Sequence, residues 1–247
     1  MGVGDQKSWF GGRGGDDLET GMALYPGADS LDNTLRWGFI RKVYSIIALQ
    51  LVLTTCVAAF VVFSKPTQHF LLANWGIQIA LLLVSMLALI PLYIYRNSHP
   101  QNLVILGLWT CIFSVTVGMA CSFYQPEIVL EALLITAAMV CGLTLYAFHA
   151  TRRGLDLTFM GPMLFCCLNA MIIWSIIQLF FHPGPVGRTI FALLGAILFS
   201  AYLVLDTQML ISRFELDDYI WAAVTIYLDV VNLFLYILRL LGEQRNN

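Results

Sequence analysis

Two aspartates lie inside runs of apolar residues that are long enough to cross a membrane. Asp206 and Asp229 stand at the same distance from a polar turn centred on Asp217 and Asp218, so an antiparallel hairpin would place them at one depth. A charged side chain at membrane depth costs about 2.5 to 3.5 kcal/mol and needs a partner, a cavity or a function. Two carboxyls that share one proton could sense pH near neutrality. The alternative is a packed polar network in which each Asp bonds to a nearby Thr, Gln, Asn or Tyr.

Five other charged residues could serve such a pair. Arg96 ends the second apolar run and is long enough to reach inward to a carboxylate, or alternatively to snorkel to lipid headgroups. Glu131 lies one turn inside the fourth run and could attract cations at an outer mouth, or be an ordinary interfacial acid. The loop acids Glu215, Asp217 and Asp218 could gather cations beside a path that ends at the aspartates. A solvated acidic turn is the alternative for that loop.

The composition determines the kind of structure that must position these residues. Of 247 residues, 59% are hydrophobic and only 11% are charged, which is too apolar for one soluble core. The sequence therefore predicts an all-α integral membrane protein. The net charge of -2 gives no reason to expect a nucleic-acid partner. All six cysteines fall within apolar runs and have no metal-ligand spacing, so we expect packing roles, no tight metal site and no cofactor.

Polar or Pro-containing breaks divide the chain into apolar runs of about 20 residues, the length that spans a bilayer. The division predicts a bundle of seven transmembrane helices over residues 36–247, preceded by a flexible polar tail over residues 1–35. The predicted runs are Val43 to Ser64, Phe70 to Tyr95, Leu103 to Phe123, Glu127 to Ala150, Leu157 to Phe181, Thr189 to Ser212 and roughly Tyr219 to Leu241.

The distribution of Lys and Arg predicts the orientation, because cytoplasmic loops are enriched in both. A cytoplasmic N-terminus places seven of these residues on cytoplasmic flanks and four on the other side. The side of the C-terminus stays open, with a re-entrant final segment as the alternative. The seven are Arg36, Arg41, Lys42, Arg96, Arg152, Arg153 and Arg213, and the four are Lys65, Arg188, Arg239 and Arg245.

Four segments, in order, resemble the LIFEGUARD branch of the transmembrane Bax inhibitor motif family: residues 36–50, 131–133, 199–208 and 227–235. The resemblance implies a seven-helix fold with a central last helix, residence in the endoplasmic reticulum or another endomembrane, a pH-sensitive calcium leak and suppression of programmed cell death. By the same resemblance, Asp206 and Asp229 are the proton-sensing pair, Glu131 is the fourth-helix acid, and Arg96 latches onto the sixth-helix aspartate. Calcium is then the transported ion and meets the pair only transiently.

Several mechanisms agree with this pattern. The leading hypothesis is a passive calcium leak closed by an ion pair between Arg96 and the aspartates, with the direction of the pH response left open. A proton-coupled calcium exchanger is a close variant. A non-conducting adaptor that acts on cell death through other membrane proteins is a third hypothesis. A membrane aspartic protease would carry Gly-x-Gly-Asp at one of its membrane acids and a Pro-Ala-Leu motif nearby. Asp229 instead follows Ile226-Tyr227-Leu228 and the chain has no Pro-Ala-Leu, so we do not expect an enzyme.

Overall fold

Helices account for almost the whole of the computed structural model, which describes residues 28–96, 98–181 and 183–245. No strand occurs within these ranges. A 3₁₀ turn at Thr158–Met160 precedes α7. The helices are α1 Ala28–Phe63, α2 Lys65–Ala73, α3 Trp75–Leu87, α4 Leu89–Ile94, α5 Gln101–Ser122, α6 Pro126–Arg152, α7 Gly161–Phe180, α8 Pro185–Ser212 and α9 Tyr219–Arg245.

Seven segments within the described ranges are long and apolar enough to cross a membrane, so the chain is a multi-pass membrane protein. The predicted count of seven is confirmed. The segments are Thr34–Phe63, Gly76–Ile94, Gln101–Ser122, Pro126–Arg152, Thr158–Gln178, Pro185–Ser212 and Tyr219–Arg245.

The predicted second run begins too early. A separate short helix, α2, occupies residues 65–73, and the membrane segment starts only at Gly76. At the break, the Asn74 amide donates to the Phe70 carbonyl at 2.8 Å. A second interruption at Ala88 follows from Pro91, whose ring clashes with the carbonyl four residues earlier, at Leu87. This region is therefore three consecutive helices rather than one continuous helix.

Proline starts several of the helices. It occupies the first or second position of α2, α6, α7 and α8. A proline there loses no helical hydrogen bond, and its fixed φ suits the first turn. At the other end of α6, Gly154 adopts a left-handed φ of 73°, a conformation that an L side chain disfavours. Local sequence thus sets where the helices that carry the site begin and end.

Residues 1–38 and 39–247 form two separate units, and every predicted site residue belongs to the second. The predicted tail of residues 1–35 lies largely outside the described residues, and α1 already begins at Ala28.

The last helix, α9, lies at the centre of the 39–247 unit. In its most apolar stretch 61% of the residues are buried, against 44% for α5 and α8 and 22% or less for the other segments. It packs against α8, α6 and α5. Gly195 of α8 permits a close approach in the α8–α9 hairpin, because a Cβ at this position would overlap the Tyr236 ring. The central position of α9 puts any polar group that it carries inside the bundle.

Candidate functional site

The structure brings the two membrane-depth aspartates together, as the hairpin spacing predicts. The carboxyl of Asp206 on α8 lies close enough to the carboxyl of Asp229 on α9 and to the Thr225 hydroxyl to interact with both. Asp229 is only 5% exposed, while Asp206 is half-buried. We refer to Asp206 and Asp229 as the aspartate pair.

Donor counting shows what a hydrogen bond within the aspartate pair would require. Two ionised carboxylates offer only acceptors, so a hydrogen bond between them requires a proton on one of them. No hydroxyl or amide in the described part of the chain donates to Asp229 Oδ2, which is buried. Holding two negative charges in this low-dielectric site would also be costly. The arrangement therefore suits a pair that holds one proton and changes its charge when that proton is lost.

Arg96 does not contact the aspartate pair in this structure. Its Nε lies 3.4 Å from Asp218 Oδ1, and its guanidinium stacks over the Tyr93 ring at 4.7 Å from the centroid. Asp218 directly precedes α9, at the same end of the bundle as Arg96. Asp206, by contrast, lies six residues, or about 9 Å, inside the end of α8. The predicted latch between Arg96 and the sixth-helix aspartate is replaced here by a pair with the loop acid.

The side chain of the buried Asn102 links the two segments that carry this ion pair. The Asn102 amide donates to the Arg96 carbonyl and to the Tyr219 hydroxyl, both at 2.8 Å. Tyr219 is the first residue of α9 and is buried. The end of the second span is thus tied to the start of the central helix by the hydrogen bonds of the Asn102 side chain as well as by charge.

The remaining predicted acids lie away from the aspartate pair. Glu215 and Asp217 are exposed in the turn beside Asp218. Glu131 is exposed near the start of α6. The C-terminal end of α6 lies near the C-terminal end of α8, where the acidic turn begins, because the Gln208 side chain accepts from the Leu157 amide at 2.8 Å. Glu131 therefore lies at the opposite end of the bundle from the acidic turn. Within the described ranges, no three His, Cys, Asp or Glu side chains converge as metal ligands.

A buried hydroxyl network in the bundle centre was not predicted from the sequence. Gln50 donates to Thr110 at 3.0 Å, Ser114 donates to Thr54 at 3.0 Å, and Thr54 shares a 2.7 Å hydrogen bond with the Tyr227 hydroxyl. The network joins α1, α5 and α9. The sequence signal was available, because polar residues four apart in two apolar runs mark one polar face on each helix.

The last helix crosses the bundle completely. Arg188 Nε at the start of α8 lies 3.1 Å from Glu243 Oε2 near the end of α9, and Arg239 donates to Gln178 of α7 at 3.2 Å. These contacts place the end of α9 opposite the turn at Asp218. They disagree with a re-entrant final segment, the alternative that the sequence left open.

These features define a class: a seven-span helical membrane protein with a contacting aspartate pair in its last helical hairpin. The family model described as Inhibitor of apoptosis-promoting Bax1 matches residues 36–246, and the chain belongs to this family.

Named relatives cover nearly the full length of the chain. It is 45% identical to the BI1-like protein of Arabidopsis thaliana over 93% of this chain and 91% of that protein. It is also 45% identical to Protein LIFEGUARD 3 of the same plant, over 92% and 94%. The Golgi anti-apoptotic protein of vaccinia virus (strain Lister) is 30% identical over 84% and 86%. The predicted family and LIFEGUARD branch are thereby confirmed, and the family includes anti-apoptotic relatives.

Proposed function

We propose that the protein is a pH-sensitive calcium leak channel of an endomembrane and that this leak regulates calcium homeostasis and suppresses programmed cell death. The observation that carries the proposal is the contact between the carboxyls of Asp206 and Asp229 inside the membrane-spanning bundle. A proton held between two carboxyls can be exchanged at pH values near neutrality, which changes the charge at membrane depth.

In this proposal calcium meets the aspartate pair only transiently. A tight site for calcium uses six to eight oxygen ligands. Two carboxyls fall short of that number, which suits an ion that must also leave. Glu131 at one end and the acidic turn Glu215, Asp217 and Asp218 at the other would raise the local cation concentration. The proposal needs no covalent chemistry and no cofactor, and we propose that the protein is not an enzyme.

The closing contact in this proposal is the Arg96–Asp218 ion pair. It joins the end of the second span to the start of α9, the helix that carries Asp229. Loss of this pair would free the second span to move relative to the central helix. Conformational change at a span end is an established way to open a path through a bundle.

Location and orientation are part of the same proposal. We propose that the protein resides in the endoplasmic reticulum or another endomembrane, as its family resemblance implies. We propose a cytoplasmic N-terminus because Lys and Arg are more frequent on that side. The vaccinia relative named a Golgi anti-apoptotic protein supports an endomembrane role in cell death. Other membrane proteins of cell-death control are the partners that this role would require.

Reconstitution tests the proposal directly. Purified protein in liposomes with a trapped calcium dye is expected to pass calcium faster than empty liposomes, without a fixed number of protons moving in return. Proton movement in a fixed ratio to calcium would instead indicate a proton-coupled exchanger. If correctly folded protein gave no flux above empty liposomes, the channel proposal would be wrong and a non-conducting adaptor would take its place.

A further inference from the structure

An elongated apolar cavity lies between α1, α5, α6 and α9. Its volume is about 570 Å³, within the range of small-molecule sites. Phe63 and Pro126 line one end of it, and Leu51 and Cys141 line the other. The cavity is separate from the aspartate pair, since neither aspartate contributes to its wall.

The wall offers nothing to water or to an ion. Among the described residues that line the cavity, none is charged. Its buried or helix-facing hydroxyls donate to carbonyls of their own helices: Thr54 to Gln50 at 2.7 Å and Thr136 to Ala132 at 2.7 Å. A cavity of this kind does not hold water stably, because a bound water needs two to four polar partners. Its occupant must be apolar.

The dimensions of the cavity suit a hydrocarbon chain. From Pro126 to Cys141 the wall of α6 rises about 22 Å, at about 1.5 Å per residue. Half of a bilayer hydrocarbon core is about 15 Å thick. The cavity is therefore long enough to hold one complete acyl chain that runs along the helices.

The cavity opens to the side, where the bilayer lies. Its α6 wall includes Leu130, Leu133 and Ala137, which are exposed on the surface of a membrane-spanning helix. A lipid tail can enter by this opening without leaving the hydrocarbon. Burial of a CH₂ group from water stabilises by about 0.8 kcal/mol. An acyl chain that enters the cavity from the bilayer leaves an apolar solvent, so its binding free energy comes from closer van der Waals packing against the cavity wall.

The mouth carries one charge of each sign. Lys65 lies two residues beyond Phe63, and Glu127 follows Pro126, so both stand next to residues that line the same end of the cavity. Both side chains are exposed. An exposed ammonium and an exposed carboxylate at the same end of the cavity complement a zwitterionic headgroup, whose phosphate and quaternary amine carry the opposite charges.

From these observations we infer that the cavity is a binding site for a bilayer phospholipid, which inserts one acyl chain between α1 and α6 with its zwitterionic headgroup at Lys65 and Glu127. The site is independent of calcium flux. Its binding can therefore be tested whether or not the protein conducts.

Photolabelling with a phospholipid tests the inference. Phosphatidylcholine with a diazirine in its acyl chain is included in phosphatidylcholine vesicles that contain the full chain, and labelled peptides are mapped by mass spectrometry after irradiation. We expect residues of α1 and α6 that line the cavity to be labelled several-fold more than the lipid-exposed face of α7. Labelling of α7 measures ordinary contact with surrounding lipid.

Two adjacent alanines provide a matched pair of variants. Ala137 lines the cavity, whereas Ala138 is exposed but does not. Ala137→Trp is expected to reduce labelling of the cavity by about fivefold or more, since the indole obstructs the path of the acyl chain, and Ala138→Trp is expected to leave it unchanged. Ala59→Phe obstructs the cavity from α1 and replaces Ala137→Trp if that variant is not monodisperse.

Four results would overturn the inference. Labelling of the cavity no stronger than that of α7 would mean that lipid only surrounds the bundle. Equal loss in Ala137→Trp and Ala138→Trp would show that the label does not report the cavity. Displacement of the label by a sterol at low molar fraction, or crosslinks between two copies of the chain through α1 and α6, would assign the cavity to a different occupant.

Discussion

Replacement of Arg96 by Gln is expected to raise calcium leak at neutral pH. Arg96 reaches two groups near the end of the bundle: its Nε is 3.4 Å from Asp218 Oδ1, and its guanidinium lies over the Tyr93 ring. Gln keeps much of the length and removes the charge. If the ion pair restrains the second span against α9, its removal shifts the protein toward the open state by the energy of the pair.

The size of this shift follows from the geometry. Two unit charges 3.4 Å apart attract by about 5 kcal/mol at an effective dielectric constant of 20. The side chains are 30% and 18% exposed, so hydration and salt offset most of this attraction. Measured couplings of partly exposed pairs are about 0.2 to 1 kcal/mol, and we take the upper end. A coupling of about 1 kcal/mol corresponds to about a fivefold change in leak rate.

A double-mutant cycle isolates the ion pair from the ring contact. Leak is measured in liposomes with a trapped calcium dye for wild type, Arg96→Gln, Asp218→Asn and the double variant. Arg96→Gln loses the ion pair and the ring contact, whereas Asp218→Asn loses only the ion pair. The coupling energy from the cycle is therefore that of the ion pair alone. Arg213→Gln is the matched control, because its ion pair with Asp156 is on the surface, with side chains 55% and 62% exposed.

The reasoning is refuted if the two single substitutions act additively in the double variant, because Arg96 and Asp218 would then not be coupled. It is also refuted if Arg213→Gln raises leak as much as Arg96→Gln does. Added salt should weaken the wild-type restraint and leave the double variant unaffected.

Two further predictions concern stability. Gly195→Ala puts a Cβ into the Tyr236 ring and should lower the free energy of unfolding by about 1 to 3 kcal/mol in denaturant titrations, whereas Gly142→Ala, with open space around it, should not destabilise. Hydrogen bonds from the Thr158 hydroxyl and amide lower the pKa of Asp156, so its carboxylate stabilises the fold above its ordinary pKa of about 3.9. Asp156→Asn should therefore lower the melting temperature at pH 7, and the difference from wild type should shrink as the pH falls below about 4; a constant difference would contradict this assignment.

The contact between the aspartates could be predicted because it depends on a simple symmetry. Asp206 and Asp229 are equally distant from one turn, and both helices rise by the same amount per residue. The partner of Arg96 could not be predicted in this way. A long side chain at a helix end can reach several acids. Arg96 pairs with Asp218 because of the conformation of the acidic turn, which the sequence does not specify.

Other features depend on how the helices are spaced, which apolar composition does not specify. Residues that line the cavity, such as Ala137, look the same in sequence as residues that face lipid, such as Ala138. Of the two interruptions in this region, the one at Ala88 could be predicted from the sequence, because Pro91 disfavours a continuous helix. The one at Asn74 could not, because Asn gives no comparable signal. Hydropathy identifies the spans, while packing decides which of their faces enclose a site.

The central claim is that the aspartate pair senses pH for the leak. The most direct measurement is calcium flux in liposomes across about pH 6 to 8 for wild type, Asp206→Asn and Asp229→Asn, with Asp156→Asn as an acid outside the bundle. We predict that flux through the wild type and Asp156→Asn depends on pH and that this dependence disappears in both variants of the pair. A wild-type pH profile retained in correctly folded Asp206→Asn and Asp229→Asn would contradict the claim.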